Sequence, residues 1–409
     1  MRHGRVSFLP LFLVLAGYGG CLIGDDFTKV GAPAQSDAGA AGGTGGSGGV
    51  PSGGSAGSDA SSGGASATGG AGGTAGDGGV TDGPPYQCLA TNCETLPVSQ
   101  GELQAIATTS HVTLVSALES SGDGSVSRLR GLDGSAVVAT LDAAGQPLEL
   151  PGPVRSLVAR SGSFAWLGDP GLVGLHLPAF QGFVDPTAAA VAAALVWLAP
   201  SDGGSADAGE AGAPAPRFYL FSGGTLTVRD EQGQNVRVLA QGLGLEGGTG
   251  PIVMQTAQSS ATSIFVGIAQ SGPITRVYDD GVCTQCTVGT PSSGPKAVTL
   301  MASGDSNRVF AAGDEQIFSS DDLDKFTFVC AAKGVVALAA SGPYVAWVAA
   351  IGDAGTGTYS VYRKNVGAAG DPVLLAAGLK APGTIAVVDS DVFVTLPGAG
   401  AVLKLSAGG

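Results

Sequence analysis

The chain is short of charge, of histidine and of long apolar runs. Only 13% of its 409 residues are charged, and 19 Lys and Arg face 33 Asp and Glu. A formal net charge of -14 offers no basic footprint to a phosphate backbone, which excludes nucleic acid as a partner. Of three histidines, His3 sits at the extreme N-terminus, leaving His111 and His176. Two histidines in unrelated segments do not make a three-ligand catalytic zinc site. No serine stands in the strand-to-helix context of a nucleophile elbow, so a Ser-His-acid triad has no visible seat. Trp166, Trp197 and Trp347 fall inside apolar strand-like runs and read as core, not as an aromatic cage. Past the N-terminus, the longest apolar run, Ala188 to Ala199, is too short to cross a bilayer and reads as a buried strand.

What is present begins at the N-terminus. Arg2, His3 and Arg5 form a basic head, Phe8 to Ala16 an apolar stretch, and Gly19-Gly20-Cys21 a run of small residues. That order marks residues 1–21 as an export signal rather than a span. The leader resembles those of bacterial lipoproteins, whose cysteine after a small residue is lipidated and becomes the mature N-terminus. The resemblance implies a lipid anchor on Cys21; cleavage by the ordinary signal peptidase, leaving Cys21 a plain thiol, is the alternative. An anchored chain would be exported, at the outer membrane or cell surface, held by lipid alone with no transmembrane helix in its mature form.

Residues 22–86 form the expected linker, and from about Gly31 to Pro85 they are almost pure Gly, Ala and Ser, with isolated Asp37, Asp59, Asp77 and Asp82. Such a stretch buries too little apolar surface to offset its ordering entropy and is predicted to be a disordered tether. About 55 residues of flexible coil span on the order of 40 Å. Ser201 to Pro216 has the same chemistry and is predicted to be a disordered surface loop.

Residues 87–409 carry a repeat. Seven times an apolar run is followed by a second one rich in Val, Phe and Trp, then a Gly-rich turn, then a third; the second members include VTLVSA from Val112, FYLFS from Phe218 and VFVTL from Val392. These are strand and turn signals. Most units carry a fourth run, such as SAVVATLD from Ser135 and KFTFVCA from Lys325, but the last has none before Gly409. A period of about 47 residues suits four-stranded propeller blades. The pattern, clearest in VFVTL-PGAGA-VLKLS, resembles β-propellers with YWTD-like or NHL-like repeats, without the full YWTD tetrad. The expected fold is all-β: a seven-bladed propeller, six blades being the alternative count, behind the disordered linker. Glu94 to Gln100 is predicted to pair with the last blade and close the ring.

Cysteines are expected to pair at short range in an oxidising compartment, Cys88 with Cys93 and Cys283 with Cys286, leaving Cys330 a lone buried thiol. The turns between second and third strands carry Glu119, Asp123, Asp169, Asp314, Glu315 and Asp353. Gathered on one face, these carboxylates form a candidate ion or ligand face, with calcium the cofactor they would suit; acidic residues also suit solvated turns. No catalytic constellation and no metal site is assigned. The expected role is non-enzymatic, a tethered binding or scaffolding head for a protein or glycan of the cell envelope. A metal-dependent, lactonase-like propeller hydrolase or lyase and a purely structural envelope component are the alternatives.

Overall fold

A computed structural model describes residues 86–98, 101–108, 113–121, 124–133, 136–139, 148–151, 153–160, 163–168, 172–176, 181–185, 192–198, 215–230, 233–234, 236–243, 251–258, 262–270, 272–303, 308–321, 325–351 and 357–406. Cys21, His111, residues 22–85 of the expected tether and residues 199–214 lie outside the described residues; the expected loop ends earlier than predicted, because Ala215 and Pro216 already pair with Leu198 and Trp197 in the strand Ala215–Ser222. Among those described, the only regular elements are strands and one 3-10 turn, Pro397–Ala399. No helix there is long and apolar enough to cross a membrane.

The strands form seven antiparallel sheets. Their first strands are Glu102–Thr108, Val154–Arg160, Ala192–Leu198, Ile252–Gln258, Val298–Ser303, Val335–Ser341 and Ile385–Val388. Each of these adjoins the next in order, and the last returns to the first, so the sheets close into a ring around a central channel. We number the blades by these inner strands. Three further strands follow outward in each of the first six blades, as in Thr262–Ile268, Thr275–Asp279 and Thr287–Gly289 of the fourth.

Strand alternation explains where the apolar surface goes. Second strands, buried on both faces, are the near-continuous apolar runs of the sequence: all seven residues of Thr262–Ile268 are buried. Third strands alternate, as in Thr225–Arg229, where Leu226 and Val228 are buried between half-exposed neighbours. Among the described residues, one apolar cluster fills each of the seven junctions between neighbouring blades. Phe164 and Trp166 of the second blade pack on Leu114 of the first, and Phe310 of the fifth faces Trp347 of the sixth. Trp166 and Trp347 are core as expected; the side chain of Trp197 lies outside the described residues.

The ring is closed from the N-terminal side. Asn92–Pro97 pairs antiparallel with Ala401–Ser406, setting Leu96 opposite Val402, and supplies the seventh blade's missing fourth strand. The Val98 amide extends the match to the Gly400 carbonyl at 3.0 Å. The pairing starts two residues before Glu94, because Asn92 and Cys93 already oppose Ser406 and Leu405. Three features were not anticipated. Gln87–Cys88 adds a fifth strand to the sixth blade. Glu149–Pro151 pairs with the third strand of the first blade, Gly124–Asp133. Thr287–Gly289 is the fourth strand of the fourth blade.

Candidate functional site

The turns between second and third strands leave each blade at the end where its inner strand begins. The C-terminal halves of several inner strands line one cavity, including Thr108, Ala159, Ser303, Ser341 and Val387, so these strands run the same way. The described strand ends that flank the predicted acidic turns therefore share one face. The structure does not draw the described ones together there. Glu119 lies across its own blade: its carboxylate accepts from Arg128 Nη1 at 2.7 Å and Arg130 Nη2 at 3.2 Å. Arg128 reaches Glu149 as well, at 2.8 Å, and its guanidinium is held above its ordinary value by hydrogen bonds to Glu149 and then Glu119.

Asp314 and Glu315 are the two central residues of a hairpin turn, with φ of 53° and 59°. Gly223 and Gly224 fill the same positions in the third blade, with φ of 52° and 72°. A two-residue turn with positive φ at both centres matches the twist of the strands it joins, and Asp is among the few non-glycine residues that accept it. The Asp314 carboxylate caps the Lys296 amide at 2.6 Å, and Glu315 faces Lys333 Nζ at 3.5 Å. Glu119 lies within the second strand of the first blade, Thr113–Ser121, and not in the turn where it was expected, because strand pairing continues to Ser121; it, Asp314 and Glu315 each have a partner close by. Asp123, Asp169 and Asp353 lie outside the described residues.

The central cavity has a volume of about 130 Å³; most of its side chains are apolar, but the surface they leave open is mainly polar. Its polar groups bridge neighbouring blades. Thr108 Oγ1 donates to the Val387 carbonyl at 2.8 Å, and Ser303 Oγ donates to Gln255 Oε1 at 2.8 Å. That volume suits a few waters or one small molecule. Gln255 carried no signal in the sequence, because a lone amide inside an apolar run looks like an ordinary strand residue.

A denser constellation sits on the rim, where the third and fourth blades meet. Asp279 ends the strand Thr275–Asp279 and is 3% exposed. It receives Tyr219 Oη at 3.0 Å and Arg237 Nη2 at 2.9 and 3.0 Å, both from the third blade. Burial, then the Asp279 charge, pushes the Tyr219 hydroxyl well above the usual phenol range. Asp280 folds its carboxylate over the following turn, accepting from the Val282 and Cys283 amides at 3.0 and 2.8 Å, which lowers its pKa. Within that turn Cys283 and Cys286 are joined as a disulfide, as are Cys88 and Cys93. Cys330 is a free, buried thiol among the described residues, its pKa pushed up to about 11 by burial.

Ligand atoms of Asp279, Cys283 and Cys286 lie within 4.8 Å of one another. With the sulfurs joined and the carboxylate claimed by Arg237 and Tyr219, the donor set offers no thiolate to a metal ion. The sequence showed the two cysteines but not Asp279, Arg237 and Tyr219, which only the contact between blades assembles. His176 lies in the strand Leu172–His176, opposite Ser163 and Gln181, with its side chain outside the described residues.

No family model and no curated protein matches the chain. Among solved structures, U3-55K is similar with a TM-score of 0.50 at 8% identity, over 78% of this chain and all of that one. Virginiamycin B lyase from Staphylococcus aureus gives 0.42 at 11% identity, over 77% and 99%. The computationally designed Ika8 protein gives 0.42 at 14%, over 76% and 98%. At these identities the likeness is one of fold.

Proposed function

We propose that the chain is an exported, lipid-anchored β-propeller whose ring binds or scaffolds a protein or glycan of the cell envelope. One observation carries the reading: the chain joins the ring at its perimeter. Gln87–Cys88 and Asn92–Pro97 pair with the outermost strands of the sixth and seventh blades, and the Cys88–Cys93 disulfide ties the two together. A tether built from residues 22–86 would then pull on the rim, where the load falls on backbone pairing and a covalent link. The export leader and the tether composition support the same arrangement.

The anchor is tested by intact mass of the mature chain together with fatty-acid labelling of wild type and Cys21→Ser. Labelling that requires Cys21 is expected; an unacylated wild-type mass overturns it. The binding role is tested by chemical cross-linking of the anchored full chain in its own envelope. A recurring envelope protein or glycan is expected among the products, and recovery of the chain linked only to itself counts against the role.

A further inference from the structure

We propose that Cys283–Cys286 is a thiol–disulfide exchange site whose reduction loosens the clamp between the third and fourth blades. The inference is independent of the anchoring and binding roles. It rests on the placement of the pair. The turn projects from the rim: Val282 is 80% exposed, and Thr284 and Gln285 are exposed. Cys283 is partly exposed while Cys286 is buried at 7%. One sulfur is thus open to an external thiol and the other sheltered, the asymmetry that directs attack to a single sulfur.

The same turn carries the clamp. Arg237, on the outer strand Arg237–Ala240 of the third blade, donates through Nη1 to the Cys283 carbonyl at 2.6 Å and through Nη2 to Asp279. The Cys286 amide donates to the Leu239 carbonyl at 2.7 Å. The Cys283 carbonyl and the Cys286 amide are held at fixed separation by the disulfide between their own side chains. Opening it frees four residues of turn and with them two of the blade-to-blade bonds. Arg237 Nη1 lies 3.7 Å from Cys283 Sγ, so a guanidinium faces the sulfur that is released as a thiolate when the mixed disulfide resolves, with the Asp279 carboxylate, itself paired to Arg237, at 3.6 Å from the same sulfur.

The co-reactant is a dithiol. Its thiolate attacks Cys283 Sγ, an intermolecular S–S bond forms, and the Cys283–Cys286 bond breaks. Cys286 leaves as a thiolate and takes a proton from solvent. The second thiol of the reductant then attacks its own sulfur in the mixed disulfide and releases Cys283. The protein gains two electrons and two protons, and the dithiol becomes a disulfide.

The full chain is equilibrated with dithiothreitol at graded ratios of its reduced and oxidised forms, trapped with N-ethylmaleimide and read by peptide mass, with amide exchange followed in parallel. Cys88→Ala/Cys93→Ala removes the other disulfide from the titration. The expected result is reversible reduction of Cys283–Cys286 in the folded protein, with exchange at the Cys286 amide rising at least tenfold and exchange at Val266, in the buried second strand of the fourth blade, unchanged. Arg237→Gln should at least halve the fall in melting temperature that reduction causes. Reduction only on global unfolding, an unchanged Cys286 amide, or an equal fall in wild type and Arg237→Gln overturns the proposal. Should Arg237→Gln fail to fold, the wild-type exchange data decide alone.

Discussion

Gln104 Oε1, on the inner strand of the first blade, accepts the Val154 amide of the second blade at 2.9 Å. It also accepts Ser127 Oγ from its own blade at 2.8 Å. One side-chain oxygen therefore serves a junction that is otherwise apolar. Gln104→Leu removes that acceptor from a buried main-chain amide, at an expected cost of about 1–3 kcal/mol. Gln104→Glu keeps an acceptor at neutral pH and should cost less. Denaturant titration of the two variants checks the order; equal losses would show that the oxygen does not bridge the blades.

Ring closure depends on a short N-terminal segment. Removing the Cys88–Cys93 link in Cys88→Ser/Cys93→Ser should cost roughly 2 kcal/mol from loop-closure entropy. Leu96, 3% exposed against Phe393 and Val402, is a harsher test. Leu96→Asp buries an unpaired charge at the seam and is expected to unlatch the strand, leaving an open edge that self-associates. Light scattering and thermal melts report both, and a monomeric Leu96→Asp protein with wild-type melting refutes the role of the seam.

Asp314 and Glu315 hold left-handed backbone that costs a non-glycine residue about 1 kcal/mol. Glu315→Gly should therefore raise stability by up to that amount, since the Glu315–Lys333 pair is exposed and contributes little. A calcium role predicts otherwise: calcium would raise the wild-type melting temperature, and Glu315→Gly would abolish that rise. The two expectations are separated by melting both proteins with and without calcium.

Opposite pH dependences meet at the rim. The raised Tyr219 value means its contribution is fully present below the ordinary phenol range near pH 10 and is lost as pH rises towards the folded value. Absorbance at 295 nm between pH 9 and 11 should thus be the same for wild type and Tyr219→Phe. A deficit of one phenolate in the variant contradicts this. Asp280 has a lowered value, so its hold on the turn is present above the unfolded carboxylate value and fades only as pH falls through the folded one. Amide exchange at Cys283, corrected for intrinsic rate, should stay flat from pH 6 to 4 and rise below; Asp280→Asn should remove the acid dependence.

Cys330 sits at 7% exposure in the fifth blade's outer strand, with its thiol pKa near 11. At pH 8 its alkylation in the folded protein is expected to be at least a hundredfold slower than in denaturant. Comparable rates would show that the outer strand opens readily.

Much of the fold was legible in the sequence because the repeat has a strong physical signature. The second strands are buried on both faces, so FYLFS and VFVTL appear as solid apolar runs, and glycine marks turns such as Gly223-Gly224. The closing strand was legible because the seventh unit lacked a partner. Outer strands were harder. Thr287–Gly289 is exposed at all three residues and leaves no pattern to read. Gln87–Cys88 is two residues long, held by backbone bonds that any sequence can make. The candidate acidic face was read from turn position, but position in a turn does not say where a carboxylate points. Glu119 is not in a turn at all: it lies in the strand Thr113–Ser121 and bonds Arg128 and Arg130 on the neighbouring strand. The rim constellation brings Tyr219 beside Asp279, sixty residues apart, and sequence distance gives no hint of that contact.

Asn92–Pro97 and Ala401–Ser406 come from opposite ends of the folded region. A chain emerging from a ribosome or a translocon N-terminus first therefore holds half of its final seam idle until more than three hundred further residues have appeared. Early blades can stack on their neighbours in passing, but the circle stays broken throughout synthesis. A product stopped a dozen residues short would keep nearly every blade and still lack the step that makes them one object.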